Sequence, residues 1–143
     1  MQIQAKWVGG RAFEAVGPSE HTMKMDATEK YGGNSSAPTP TEMLLSSLAG
    51  CIGIDVTMIL RPYLEKIERL DITVDGVRKE EMPTAFTAAT ITFTVDGDID
   101  AKRVWRAIKL GEEKYCAVSA SLKADIDHVL ILNGEKVESP IKA

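Results

Sequence analysis

Two residues carry nucleophilic or redox chemistry by type alone: Cys51 and Cys116, the only cysteines of the 143-residue chain. The thiolate is the reactive form, so the ordinary thiol pKa of about 8.5 must fall for fast attack at neutral pH. Cys116 stands where a short helix is expected to begin, and the unpaired N–H groups of a helix start favour an anion. Cys51 falls near the middle of an apolar helix, which raises a thiol's pKa unless a cation is brought to it. Arginine is the side chain that stays charged in such surroundings.

The spacing, 116 − 51 = 65 residues, is no C-x-x-C arrangement. On composition and periodicity alone the pair also reads as two small buried hydrophobes, so an inert and a redox role stay open. Metal binding has less support. The other soft ligands are His21 and His128, without the short ligand spacings of structural zinc sites, and an ordinary strand position accounts for each histidine.

The elements that must position the thiols are legible from periodicity. Ile3, Ala5 and Trp7 alternate with Gln2, Gln4 and Lys6 as in a half-buried strand. Gly9-Gly10 is a hairpin turn leading into Arg11–Val16, and after Gly17-Pro18-Ser19 a third strand is expected over His21–Met25. Residues Tyr31–Pro40 (YGGNSSAPTP) form a turn-rich loop. Thr39, Pro40 and Glu42 then make the capping box of a helix running to about Leu64, with Pro62 placed to kink or end it. Asp55, four residues after Cys51, lies on the same helical face, and a buried carboxylate needs a partner.

Two alternating segments, Leu70–Val77 and Ala85–Val95, read as a hairpin with Pro83 in the turn. A second helix is expected after Asp98 or Asp100, ending near Tyr115. A helical turn at Ser119–Lys123, a strand at Asp125–Leu132 and a turn at Asn133-Gly134 follow. This order implies one α+β domain, residues 1–143, with antiparallel sheet. A helix apolar nearly all round needs more cover than one sheet supplies, so a homodimer is expected.

The net charge of −4 and scattered Lys and Arg argue against a nucleic-acid partner. The apolar segment 43–60 is long enough to span a bilayer, but Asp55 within it favours a buried core helix over a membrane partner. The N-terminal residues MQIQAKWVGG carry no secretory pattern, and two cysteines are few for a secreted scaffold. A cytoplasmic location is expected, with any disulfide transient.

The stretch APTPTEMLLSSLAGCIGIDVTMIL (Ala37–Leu60) resembles the signature of the OsmC/Ohr superfamily, the osmotically inducible protein C and organic hydroperoxide resistance proteins. EKYCAVSASL (Glu113–Leu122) resembles the block around that superfamily's second cysteine. The AGC-x-x-ID string, the EKYC-x-VS string and the interval 51 − 42 = 9 are similar to the OsmC-like branch. The resemblance implies an OsmC-like fold, with antiparallel sheets wrapped around long central helices in an intertwined homodimer and sites at the subunit interface. It also implies a thiol-dependent peroxidase for organic hydroperoxides, with hydrogen peroxide as a further candidate substrate. Cys51 would be the peroxidatic residue and Cys116 the resolving one. No cofactor is implied beyond an external dithiol reductant. Glu42 matches the family's glutamate, which holds an arginine near the thiolate. Arg11 is the best match for that arginine and Arg78 the alternative. Capping and surface charge explain these three residues without any such role. Ala117 stands where many relatives carry proline. The other function open to this fold is a non-enzymatic redox sensor or small-ligand binding protein.

Overall fold

The structure, a computed structural model, describes residues 1–140; the last three residues of the expected 1–143 domain lie outside it. The chain divides into two compact units, Met1–Leu44 and Leu45–Ala143.

The first unit is an antiparallel meander of β1 (Gln4–Trp7), β2 (Phe13–Val16) and β3 (Thr22–Met25), in the order β1-β2-β3. Gly9 and Gly10 both take positive φ, 107° and 54°, as the tight turn demands. Beyond β3, one carboxylate organises the loop. Asp26 is buried, and its side chain accepts from the backbone N–H groups of Ala27 (2.8 Å), Asn34 (3.1 Å) and Ser36 (3.1 Å) and from the Ser36 hydroxyl (2.7 Å). Those donors, the Ser36 hydroxyl foremost, hold its carboxyl below the ordinary value. Gly33 is required here because a Cβ would stand 2.0 Å from the Ala27 carbonyl oxygen. Helix α1 (Pro40–Ile59) opens with the expected capping box, the Glu42 carboxylate accepting from Thr39 N–H at 2.7 Å while Thr39 Oγ1 accepts from Glu42 N–H at 3.3 Å.

The second unit holds a four-stranded sheet, β4 (Ile67–Arg78), β5 (Phe86–Gly97), β6 (Asp125–Leu132) and β7 (Glu135–Val137), in sequential order. Strand β5 alternates strictly, with Ala89, Ile91, Phe93 and Val95 buried. In α1, Leu48, Ile52 and Val56 recur every four residues on one face, with Leu60 just beyond its end. All four join the same core as the β5 residues, Leu130, and Val104 and Ile108 of α2 (Ala101–Leu110). Asp100 caps α2 by accepting from Lys102 N–H at 3.1 Å, and Trp105 donates to the Val137 carbonyl at 3.0 Å. By length and composition α1 could cross a membrane, but its Leu48–Val56 stripe is core.

The structure differs from the sequence expectation at four places. Helix α1 ends at Ile59, and Pro62 falls in a 3₁₀ segment, Arg61–Lys66, because the proline ring cannot follow an α-helical turn. Strand β6 lies parallel to β5, so the sheet is mixed. The intervening helices carry the chain back across it, which hairpin reasoning did not foresee. Strand β7 is additional. Helix α3 is Ala117–Ser121, two residues earlier than expected, with Cys116 as its cap.

Gly33→Ala is expected to cost about 2 kcal/mol or more, since backbone rather than a flexible side chain blocks the added methyl; the drop in urea midpoint at unchanged slope measures it. Asp26 has a folded pKa below its ordinary 3.8. Its stabilisation is therefore present above that pH and lost as pH falls through the lower folded value. Asp26→Asn should remove that part of the acid-unfolding limb.

Candidate thiol site

Cys51 and Asp55 stand one turn apart on the same side of α1, beside the buried Ile52 and Val56. The opposing chain is the end of α2. After Leu110 it passes through a π-helical turn, Gly111–Tyr115, and reaches Cys116. Gly111 is buried against α1, where a Cβ would lie 3.0 Å from Ile52 Cδ1 and 3.4 Å from Asp55 Cβ. The turn closes when Cys116 N–H donates to the Gly111 carbonyl at 2.7 Å. Cys116 then caps α3, its sulfur accepting from Ser119 N–H at 3.4 Å. These constraints bring Cys51 Sγ, Cys116 Sγ and a carboxylate oxygen of Asp55 within 4.8 Å of one another. Both cysteines are free thiols. A disulfide needs its sulfurs about 2.05 Å apart, so only a local movement separates the two states.

The electrostatics of Cys116 reverse the sequence expectation. Burial pushes its thiol up to about 11, and the neighbouring Cys51 and Asp55 add to the shift. The Ser119 N–H opposes it without winning. The start of a five-residue helix does not offset the burial of Cys116, a residue only 2% exposed. Asp55 Oδ2 is buried with no hydrogen-bond partner among the described residues. Asp55 also lines a recess of about 290 Å³ with Met58, Ile59, Leu110 and Tyr115. The two thiols and Asp55 could hold a metal ion, but three ligands are one fewer than a structural zinc site uses.

The remaining sequence candidates are placed as follows. Arg11 is exposed on the β1–β2 turn, its guanidinium beside Gly32. Glu42 is engaged by Thr39, whose backbone N–H and hydroxyl (3.0 Å) hold its carboxyl below the ordinary value. Arg78 is committed to the β4–β5 connection. It donates from Nε to the Thr84 carbonyl at 2.7 Å and from Nη2 to Thr84 Oγ1 at 2.6 Å, with its guanidinium 5.5 Å from the centre of the Phe86 ring. Sequence reasoning brought out Asp55 but missed Gly111, the π turn and a partly buried pair beside it. His128 on β6 is 5% exposed; its Nδ1 lies 3.1 Å from Glu112 Oε2 and its ring stacks on Phe93 at 6.1 Å. Burial drives the imidazole down to about 4 and raises the Glu112 carboxyl. At neutral pH the ring is therefore neutral, and the contact is a hydrogen bond from Nδ1–H to the carboxylate. It ties the π turn to the sheet.

Comparison with known proteins places this chain among relatives. The family model for OsmC-like proteins matches residues 32–130. Protein YhfA of Escherichia coli K12 is 36% identical over 130 residues, 89% of this chain and 92% of its own length. An OsmC-like protein from Mycoplasma pneumoniae superposes with a TM-score of 0.77 at 17% identity, over 92% of this chain and 95% of the other. An organic hydroperoxide resistance protein from Legionella pneumophila gives a TM-score of 0.62 at 14% identity, over 92% and 96%. At those identities the two structures speak for the fold.

His128 lends the fold a pH dependence of definite sign. Its folded pKa of about 4 lies below the ordinary 6.5. The stability it protects is whole above 6.5 and is lost as pH falls toward 4, because only the unfolded chain takes up the proton. The loss should approach at most about 3 kcal/mol. His128→Phe should flatten the pH 4–6.5 stretch of a urea-midpoint profile.

Proposed function

The chain belongs to the OsmC-like family, and on that premise we propose that it is a thiol-dependent peroxidase acting on organic hydroperoxides. The observation that carries this reading is the meeting of two free thiols, 65 residues apart in sequence, within 4.8 Å of each other and of a carboxylate oxygen. In the first step the Cys51 thiolate attacks one peroxide oxygen. The O–O bond breaks, Cys51 becomes a sulfenic acid, and the alkoxide leaves as an alcohol after protonation. In the second step the Cys116 sulfur displaces the hydroxyl as water and a disulfide forms. An external dithiol reduces it by exchange. Cys51 suits the attacking role because it is half-exposed, whereas Cys116 is buried. The recess beside Asp55, walled by Met58, Ile59 and Leu110, suits an alkyl or aryl group better than hydrogen peroxide alone.

The resemblance calls for an arginine held by a glutamate near the thiolate, and we assign Arg11 and Glu42 to that pair, since Arg78 is already engaged by Thr84 and Phe86. The working form is a homodimer. Ile54 and Met58 of α1 are 62% and 69% exposed, an apolar face that a second copy would cover. A cytoplasmic location agrees with a thiol pair that cycles. The high pKa of Cys116 favours one other reading, a sensor that closes its disulfide once and slowly.

Steady-state oxidation of dihydrolipoamide by cumene hydroperoxide separates the two readings. The peroxidase reading requires many turnovers per thiol pair, and a single stoichiometric oxidation would establish the sensor. Cys51→Ser should abolish the reaction. Cys116→Ser should leave Cys51 sulfenic acid, trapped by dimedone. Arg11→Gln should slow peroxide reduction by about tenfold or more, and Arg78→Gln should leave its rate unchanged.

A further inference from the structure

The peroxidase reading leaves the proton of the second step unassigned. Cys116 must attack as a thiolate, yet it is buried, and the sulfenic hydroxyl must leave with a proton added. Both events take place beside one more polar group: a carboxylate oxygen of Asp55 lies within 4.8 Å of both sulfurs, and Asp55 Oδ2 is buried and unpartnered among the described residues. Leaving a buried carboxylate oxygen without a donor is costly. A proton that comes and goes at that point offsets the cost during turnover.

We propose that Asp55 is the general acid–base of disulfide formation, taking the proton from Cys116 Sγ and delivering it to the hydroxyl leaving Cys51. The inference rests on the peroxidase reading and adds to it a residue that touches the reacting atoms. The step balances: the S–H and S–O bonds break, the S–S bond forms, water departs, and Asp55 ends as the carboxylate it began as. No further oxidant or reductant enters. The helix supports the geometry because Asp55 is one turn beyond Cys51, so its carboxylate follows the sulfur whose leaving group it protonates. Gly111 keeps the opposing chain close enough for the same carboxylate to reach Cys116. The titratable groups facing Asp55 in the site are Cys51 from α1, Cys116, and Tyr115 of the π turn across the recess. The buried thiol at about 11 is what a base is needed for; at pH 7 roughly one molecule in ten thousand would ionise unaided.

Single-turnover oxidation with cumene hydroperoxide tests this, following sulfenic acid by dimedone adduct and disulfide by loss of free thiol. In Asp55→Asn, disulfide closure should slow on the order of 10²-fold, with sulfenic acid accumulating. Its rate should climb about tenfold per pH unit from 7 to 9, because Cys116 then ionises alone. Added formate should partly restore Asp55→Ala. Closure at the wild-type rate, or a slow closure that neither pH nor formate rescues, would overturn the assignment. A second arm needs no peroxide. Ellman's reagent places a thionitrobenzoate on Cys51, and Cys116 displaces it with release of a second coloured thiolate. Failure of the wild type with every peroxide would sink the peroxidase reading, while the second arm would still decide whether Asp55 deprotonates Cys116.

Discussion

The site depends on one close approach, that of Gly111 to helix α1. A methyl there would crowd the Ile52 Cδ1 at 3.0 Å and touch the Asp55 Cβ at 3.4 Å, so a residue without a side chain lets the end of α2 lie close against α1. The π turn converts that approach into chemistry. Its Cys116 N–H to Gly111 carbonyl bond, five residues apart, sets Cys116 over the helix face that carries Cys51 and Asp55. π-helical turns are rare, and many occur at functional sites. Here the added residue redirects the chain from α2 into α3. The Glu112–His128 bond anchors the turn from the other side, through a neutral imidazole stacked on Phe93.

The three groups so gathered have unlike demands, and their surroundings answer them differently. Cys51 is partly exposed, so its sulfur is the more accessible of the two. Cys116 is buried, and burial raises its thiol pKa, which favours the protonated, less reactive form. Asp55 stands close to both and has one oxygen unpartnered among the described residues. Two thiols beside one carboxylate would be a poor design for a pair of permanent thiolates, because the negative charges would repel. It suits a pair that ionises in turn.

Much of this was legible in the sequence, for reasons that differ between elements. The β1–β2 hairpin, the capping box at Thr39–Glu42 and the β4–β5 pair were visible because their signals are local: paired glycines, a hydroxyl with a glutamate three residues on, strict alternation. Asp55 was visible because four residues is one helical turn. Parallel pairing of β6 with β5 was not, since alternation reports burial of a face and is blind to strand direction. Nor was the π turn, which GEEKY does not distinguish from ordinary helix, or the raised pKa of Cys116, which follows from burial by distant residues. The two cysteines stood out by residue type, family resemblance favoured a redox role over an inert one, and the fold brings them together. Arg78 shows the reverse case, a charge that resemblance left open and that its own hairpin claims.

Parallel pairing of β5 and β6 also has a consequence for how the molecule comes into being. Ala88 faces Asp125 across the ladder, so a residue 37 positions further along the chain, with Cys116 in between, must be made before the first rung forms. Such a closure is entropically slow compared with the neighbouring β4–β5 hairpin. On a chain emerging from the ribosome, Cys51 is made well ahead of the segment that will answer it. Its thiol waits without a partner until the last strands arrive, and the completed fold first brings that interval to an end.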